Sequence, residues 1–283
     1  MEQGIIIEKA KGALIQAASA CSDDKIEAYR RAIAREHNPN ARWAMEQIAE
    51  NCLLARDSRS PLCDDTGIPH LILEVGPGGN ISGQMLDDIR TGVSQGLREL
   101  PGRPMAVLGD DIQRIEQSAR LSDDPADVVP PPVMVVPGRG DAVRLYVLMM
   151  GGGPTIRART NRVFHMHSIA TISDEITGWA SEAVKALGCT PCTLGIGVGR
   201  SHYEASALML LSLAEGRYDR QSEWETEITN RVNQSDAGVL GLGGGTSVLA
   251  SFVKVGPQRA SGVRVVCMQP CCCFEPRVAV TEI

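Results

Sequence analysis

Aromatic side chains are almost absent from this chain: Trp, Tyr and Phe together make up 4 % of its 283 residues. Any core must therefore be built from Ala, Val, Leu, Ile and Met. The length suits one large domain or two modest ones, and hydrophobic residues reach 43 %, enough for a sizeable core. Positive charge is also short. Lys and Arg number 28 against 34 Asp and Glu, a net charge of -6, so no basic field exists to hold a nucleic acid. No apolar run is long enough to cross a bilayer. The first residues, Met1-Glu2-Gln3-Gly4, lack the basic start and apolar middle of a signal peptide. These absences point to a soluble cytoplasmic protein that partners neither membrane nor nucleic acid. No G-x-G-x-x-G sits in a credible βαβ unit, and no Walker Lys follows a glycine run, so nucleotide binding has no motif to rest on.

Helical spacing of apolar residues predicts helices over 5–20, up to Glu36 behind the capping run Ser22-Asp23-Asp24, and over 41–56. The stripe of the third is Trp43, Ile48, Leu53 and Leu54. A strand follows over 70–75, then a helix over 85–100. Residues 121–141, rich in Pro and Asp, read as an irregular loop. Residues 133–136 and 142–149 read as a hairpin. Further helices are expected over 171–187, 202–215 and 220–232, and strands over 248–255 and 262–268. This alternation predicts a mixed α/β fold, with a helical N-terminal layer packed on a mixed β-sheet core, forming a single domain over 1–283.

What the chain does have is cysteine and glycine. Nine cysteines in a reducing compartment, an odd count, do not read as a disulfide framework. Cys21, Cys52 and Cys267 fit helix or strand patterns as small buried hydrophobes. Cys63, in Pro61-Leu62-Cys63-Asp64-Asp65-Thr66-Gly67, Cys189, in Gly188-Cys189-Thr190-Pro191-Cys192, and one of Cys271-Cys272-Cys273 do not fit such patterns. Three separated thiolates can hold a cubic iron–sulfur cluster and leave one iron open as a Lewis acid. A zinc site would need a second close pair, and contiguous cysteines on a strand point to opposite faces. A thioredoxin-like pair should follow a strand and open a helix, whereas Cys189 and Cys192 follow a helix.

Three glycine runs are the second signal: Gly151-Gly152-Gly153, Gly195-Ile196-Gly197-Val198-Gly199, and Gly241-Leu242-Gly243-Gly244-Gly245. Each can present backbone N–H groups to an anion, or serve as a tight turn or a close crossing. With three cysteine sites they suggest a small anion held over a metal centre. His70, His165 and His167 are acid–base candidates. On a predicted helix, His165 and His167 would not share a face, which favours structural roles.

The order of these motifs resembles the iron–sulfur fumarase and L-tartrate dehydratase family. Pro61 to Gly67 resembles its Cys-Gln-Asp-Thr-Gly, and Gly151-Gly-Gly-Pro154 its Gly-Gly-Gly-Ser. Cys189 to Gly199 resembles its Cys-Pro-Pro-x-x-x-Gly-x-Gly-x-Gly. Gly241 to Ser247 is similar to its Gly-Leu-Gly-Gly-x-Thr-Thr, and Cys273-Phe-Glu-Pro-Arg277 to its closing Cys-Trp-x-x-Arg. The resemblance spans nearly the whole chain and implies the fold of that family's iron–sulfur α domain.

It also implies a [4Fe–4S] cluster on Cys63, Cys189 and a terminal cysteine. Cys273 is the choice because an aromatic residue follows it and Arg277 lies four on; Cys271 and Cys272 stay open. Catalytic-site contacts fall on Asp64 and Asp65, and substrate contacts on Arg103 and the backbone of Gly152 and Gly153. The chain departs from the family at Asp64 for Gln, Pro154 for Ser, Arg200 for Gly and Val278 for a second Arg. Arg200 is one cation that could offset Asp64. The implied reaction is reversible dehydration of a small 2-hydroxy carboxylic acid. Its base would lie on a β subunit, making the protein a hetero-oligomer. The chain stops where an α subunit of the two-subunit members stops. The rival classes are a non-catalytic iron–sulfur subunit and a zinc-stabilised binding module.

Overall fold

The computed structural model describes residues 3–283. In chain order the elements are α1 (Gln3–Ser19), α2 (Asp23–Arg35), α3 (Pro39–Ser58), β1 (Ile68–Val75), α4 (Gly83–Glu99), α5 (Asp111–Glu116), β2 (Met134–Pro137), β3 (Val143–Met150), α6 (Gly152–Thr155), β4 (Arg159–Phe164), α7 (Ile169–Leu187), β5 (Cys192–Gly199), α8 (His202–Glu215), α9 (Glu223–Val232), β6 (Val248–Val255), β7 (Val263–Cys271) and β8 (Arg277–Glu282). The fold is mixed α/β, as expected. Two compact units share the chain. One takes the residues up to 20, Leu53–Gly151 and Arg277–Ile283; the other takes Cys21–Cys52 and Gly152–Pro276. The N-terminal helices are accordingly divided. α1 covers β3 and β8 in the first unit, while α2 and most of α3 belong to the second. No helix among the described residues is long and apolar enough to cross a membrane.

The first unit has a sheet of order β2-β1-β3-β8. β3 is apolar and buried along nearly its whole length, so it needs a partner on each side. β1 and β8 supply them, both antiparallel. The expected hairpin of residues 133–136 with 142–149 therefore does not form, and β2 instead pairs with β1 in parallel. β2 alternates between half-exposed and exposed residues and ends at Pro137, which has no N–H for a ladder. Such a strand belongs on an edge, and the longer, more buried β1 takes the inner place.

The second unit has a sheet of order β4-β7-β5-β6. Its core of Ile176, Val184, Leu194, Ile196, Ile228, Val266 and Met268 lies between the sheet and α7 and α9. On the sheet's other face α8 lies directly on β5. A Cβ on Gly197 would stand 2.0 Å from the Ala205 carbonyl oxygen and 2.4 Å from the Met209 nitrogen. No real Cβ tolerates that, so any other residue here would push α8 off the sheet. The run Gly195-Ile-Gly-Val-Gly199 is thus a packing surface for a helix, not an anion cradle.

Two local expectations change. Trp43 and Leu54 are exposed, at 60 % and 61 %, because the buried stripe of α3 is Ala41, Ala44, Met45 and Ile48. Cys21 and Cys52 are not separate buried hydrophobes: they pair as a disulfide, with Cα atoms 5.6 Å apart. The sequence showed each cysteine inside its own apolar pattern, not that the two patterns meet. The other seven cysteines lie outside that pair.

Candidate active site

In the first unit the loop 61–67 is held at several points. Leu62 is buried and its N–H donates to the Ala18 carbonyl at 3.0 Å. Thr66 is buried and its Oγ1 accepts from the Arg103 N–H at 2.9 Å. Gly67 has φ +84°, and a Cβ there would lie 2.6 Å from Arg277 Nη2 and 2.9 Å from the Met150 carbonyl oxygen. Only glycine fits that backbone and that space. Arg277, 1 % exposed, donates through Nη1 to the Asp65 carbonyl at 2.9 Å. The loop is therefore fixed at Leu62, Asp65, Thr66 and Gly67, and carries a half-buried Cys63 between them.

Cys63 Sγ lies 3.4 Å from Asp64 Oδ1, and Asp64 Oδ2 lies 3.5 Å from Arg103 Nη1. Asp64 and Arg103 are both largely solvent-facing. The cation that offsets Asp64 is thus Arg103. Arg200 cannot be credited with that task, because its guanidinium is taken by Glu204, with Nη2 to Oε1 at 2.6 Å. The first unit brings together Cys63, Asp64, Asp65 and Arg103, all named from the sequence, and adds Thr66 and Arg277 as their braces.

In the second unit Cys189 is exposed just before β5, and Cys271, Cys272 and Cys273 are buried at the end of β7. Antiparallel pairing sets Thr193 opposite Cys271, so both cysteine sites lie at one end of the sheet. The Cys273 thiol is held well above its ordinary range by a hydrogen bond with Cys272, then by burial, with a further contribution from Cys189. Cys189 is thus near enough to Cys273 to act on its thiol. Burial pushes the Cys271 and Cys192 thiols up as well. Gly152 and Gly153 open the short α6. Nothing stands within 4 Å of where a Gly153 Cβ would be, so a ligand can approach the backbone there. Pro154 is buried in the same turn.

Two residues behind the cysteines escaped the sequence reading. Lys25 and Tyr29 lie one turn apart on the buried face of α2. Lys25 Nζ donates to the Glu275 carbonyl at 2.6 Å, and Tyr29 Oη to the Cys273 carbonyl at 2.7 Å. Burial lowers the Lys25 pKa to about 8, against the pull of Cys272, Cys273 and Cys271. The signal was a lysine inside the apolar stripe Lys25-Ile26-Ala28-Tyr29, which is rare without a partner.

The loop before β6 is also pinned internally. Buried Glu36 accepts from the Gly245 N–H at 2.9 Å through Oε2, and from the His37 and Asn38 N–H groups through Oε1. A protein carboxylate occupies the place where an anionic ligand was expected. The residues after β4 form a turn, not a helix. Met166 and His167 take positive φ, and the His165 and His167 rings meet edge-on at 5.5 Å. Buried His165 has Nε2 3.3 Å from the Ser261 carbonyl oxygen, a structural contact. His70 Nδ1 lies 3.1 Å from the Ile68 carbonyl oxygen, and burial lowers its pKa.

Among the described residues no three His, Cys, Asp or Glu side chains form a group that could hold one metal ion. A four-iron cube makes a different demand, since each of its protein sulfurs sits on its own iron.

These buried groups fix how the cluster-free protein responds to base. Between pH 9 and 10 the unfolded chain has largely released the protons of Cys192, Cys271 and Cys273, while the folded protein keeps them. Lys25 does the reverse: folded it is mostly neutral, unfolded still charged. Three protons retained against one given up leave the folded state ahead by two. Stability should then fall as pH rises across this window. The buried Tyr29 and Tyr218 hydroxyls, both pushed up by burial, add to the loss near its top. Urea midpoints of the reduced, cluster-free protein at pH 8, 9 and 10 check this; a midpoint rising with pH would contradict it.

The family pattern described as "Fumarate hydratase (Fumerase)" matches residues 7–281. The chain belongs to the fumarate hydratase family. Two relatives extend the match at low identity. A Methanocaldococcus jannaschii protein named "Putative L(+)-tartrate dehydratase subunit alpha" is 24 % identical over 95 % of this chain and 94 % of its own length. The Escherichia coli "L(+)-tartrate dehydratase subunit alpha" is 21 % identical over 88 % of this chain and 82 % of its own. This fumarate hydratase family member is thus similar to both along almost all of its length.

Proposed function

We propose that this chain is the α subunit of a [4Fe–4S] hydro-lyase that dehydrates a small 2-hydroxy carboxylic acid, working with a β subunit that carries the catalytic base. Membership of the family and the names of the two relatives support the reaction class. The single observation that carries the site is the bracing of the Cys63 loop by Arg277. That arginine closes the terminal cysteine motif in sequence, and it is buried against the carbonyl of Asp65.

Cys63, Cys189 and Cys273 are the residues proposed to hold the cluster. Thiols suit it, one of them is exposed and one half-buried, and Cys189 acts on the Cys273 thiol. When bound, the cluster would supply an open iron as a Lewis acid, making hydroxide a better leaving group. The chain's own residues do the rest of the binding. Arg103 presents a planar fork of donors to a substrate carboxylate. Asp64 lies beside it, so the repulsion between Asp64 and a dicarboxylate is offset locally. Nothing stands within 4 Å of where a Gly153 Cβ would be, so its backbone is open to approach. Asp64 accepts where the family's Gln can also donate, which favours a substrate offering an extra hydroxyl. Pro154 is buried and Arg200 is engaged by Glu204, so of the three departures at or near the expected substrate contacts Asp64 is the one that bears on substrate choice.

The test is anaerobic turnover of L-tartrate, malate and fumarate, by the chain alone and with a β chain. Turnover should need both chains, and a polyhydroxy acid should have the higher kcat/KM. Turnover by the single chain would refute the division of labour. A wide preference for malate and fumarate would refute the role given to Asp64.

A further inference from the structure

A cavity of about 330 Å³ opens in the second unit, lined by Arg162, Arg200, Arg259 and Arg264 with Ser201 and His202. Strand register brings these residues together. Arg162 on β4 stands opposite Val265 on β7, and Val265 stands opposite Gly199 on β5. One row across the sheet therefore delivers Arg162 and, a residue later, Arg200 to the same end. Ser201 then caps α8, accepting from the Glu204 N–H at 3.1 Å. The first amides of that fourteen-residue helix point out of its N-terminus by construction.

This is the opposite end of the sheet from the cysteines. Cys189 precedes β5 and Cys271 pairs with Thr193, while Arg200 follows Gly199. The seven steps of β5 separate the two ends by about 23 Å at about 3.3 Å each. The cavity is therefore no part of the site described above.

Charge in the cavity is poorly balanced. Glu204 takes up Arg200. Arg264 Nη1 donates to the carbonyls of Ser261 and Val263, both at 2.9 Å, and meets no carboxylate there. Among the described residues neither Arg162 nor Arg259 has an ion-pair partner, and no acidic side chain lines the cavity. Three uncompensated guanidiniums thus face one small space, in a chain whose net charge is -6. Two of the four arginines are anchored, by Glu204 and by backbone carbonyls. The other two, Arg162 and Arg259, are exposed lining residues. The volume lies at the small end of ligand pockets, and a guanidinium fork matches two oxygens of a phosphate or carboxylate.

We propose that this cavity binds a small anion carrying two or more negative charges on phosphate or carboxylate oxygens. Titration calorimetry of the full chain with pyrophosphate, and separately with citrate, tests it. Saturable one-site binding of at least one probe is expected, and it should weaken as salt is raised. The tighter probe tells whether phosphate or carboxylate oxygens are preferred. Arg162→Ala with Arg259→Ala should weaken binding by at least roughly tenfold. That variant should melt like the parent, since neither side chain holds a partner. Arg90→Ala with Arg114→Ala removes the same charge from elsewhere and should leave the affinity unchanged. No saturable binding of either probe up to about 10 mM, or equal weakening in both double variants, would overturn the proposal.

Discussion

Anaerobically reconstituted protein carrying Cys63→Ser or Cys189→Ser should lose its visible cluster absorbance, most of its iron and labile sulfide, and all measurable turnover with a β chain. The hydroxyl of serine is a far poorer iron ligand than a thiolate, and three ligands leave none in reserve. Neither change should unfold the protein. Cys189 is exposed and Cys63 half-buried, so little apolar packing is lost at either place. The terminal run divides differently. Cys271 is fully buried as the last residue of β7, whereas Cys273 lies beyond the strand and senses Cys189. Cys273→Ser should therefore behave like the other two ligand variants, while Cys271→Ser keeps the iron. Full iron content in both Cys63→Ser and Cys189→Ser would end the cluster assignment. Zinc in place of iron and sulfide would favour a zinc-stabilised module.

Local pattern made most elements of the fold legible. The helix over 202–215 and the strand over 248–255 appear with the expected bounds, because each is a run of one periodicity between clear breakers. β4 was not legible. Its Arg159, Asn161, Arg162 and Phe164 are exposed and only Val163 is fully buried, so no alternation marks it as a strand. The hairpin error had another cause. A turn between two strands says that they are near in sequence, not that a third strand cannot come between them. β1 does so because its eight residues pair along the whole of buried β3, whereas β2 has four residues and ends at a proline.

The candidate site was legible where chemistry forces a residue type and illegible where packing does. Cys63, Asp64, Asp65 and Arg103 stand out as groups with donors and acceptors beside a tight turn, and they do gather in the first unit. The glycine runs were ambiguous for a physical reason. A missing Cβ admits a ligand, a helix or a carboxylate equally well. At Gly153 it leaves open space; at Gly197 it admits α8; at Gly244 a Cβ would meet Glu36 and Ala41. Lys25 was passed over because a lysine in a helix normally reads as solvated. Its burial depends on acceptors 250 residues away in sequence, and no local pattern records them.

Arg277→Met should lower the melting temperature of the cluster-free protein by about 5 °C, and should weaken cluster retention as well. The side chain is among the largest fully buried ones, and it donates to the Asp65 carbonyl from the end of the chain. Removing this buried donor leaves the Asp65 carbonyl unpaired, at about 1–3 kcal/mol. For a chain of this size each kcal/mol moves the melting point by roughly 2–4 °C. Arg277→Lys keeps the charge but not the fork, and should recover only part of the loss. Gly67 provides the cross-check. A Cβ there would stand 2.6 Å from Arg277 Nη2, so Gly67→Ala presses on the same guanidinium. In the Arg277→Met background that collision is gone, leaving the strain of φ +84° and the 2.9 Å approach to the Met150 carbonyl oxygen. The two changes should then cost less together than the sum of each alone, by about 1 kcal/mol. Strict additivity, or a melting point for Arg277→Met within about 2 °C of the parent, would show that the Cys63 loop holds its shape without this arginine.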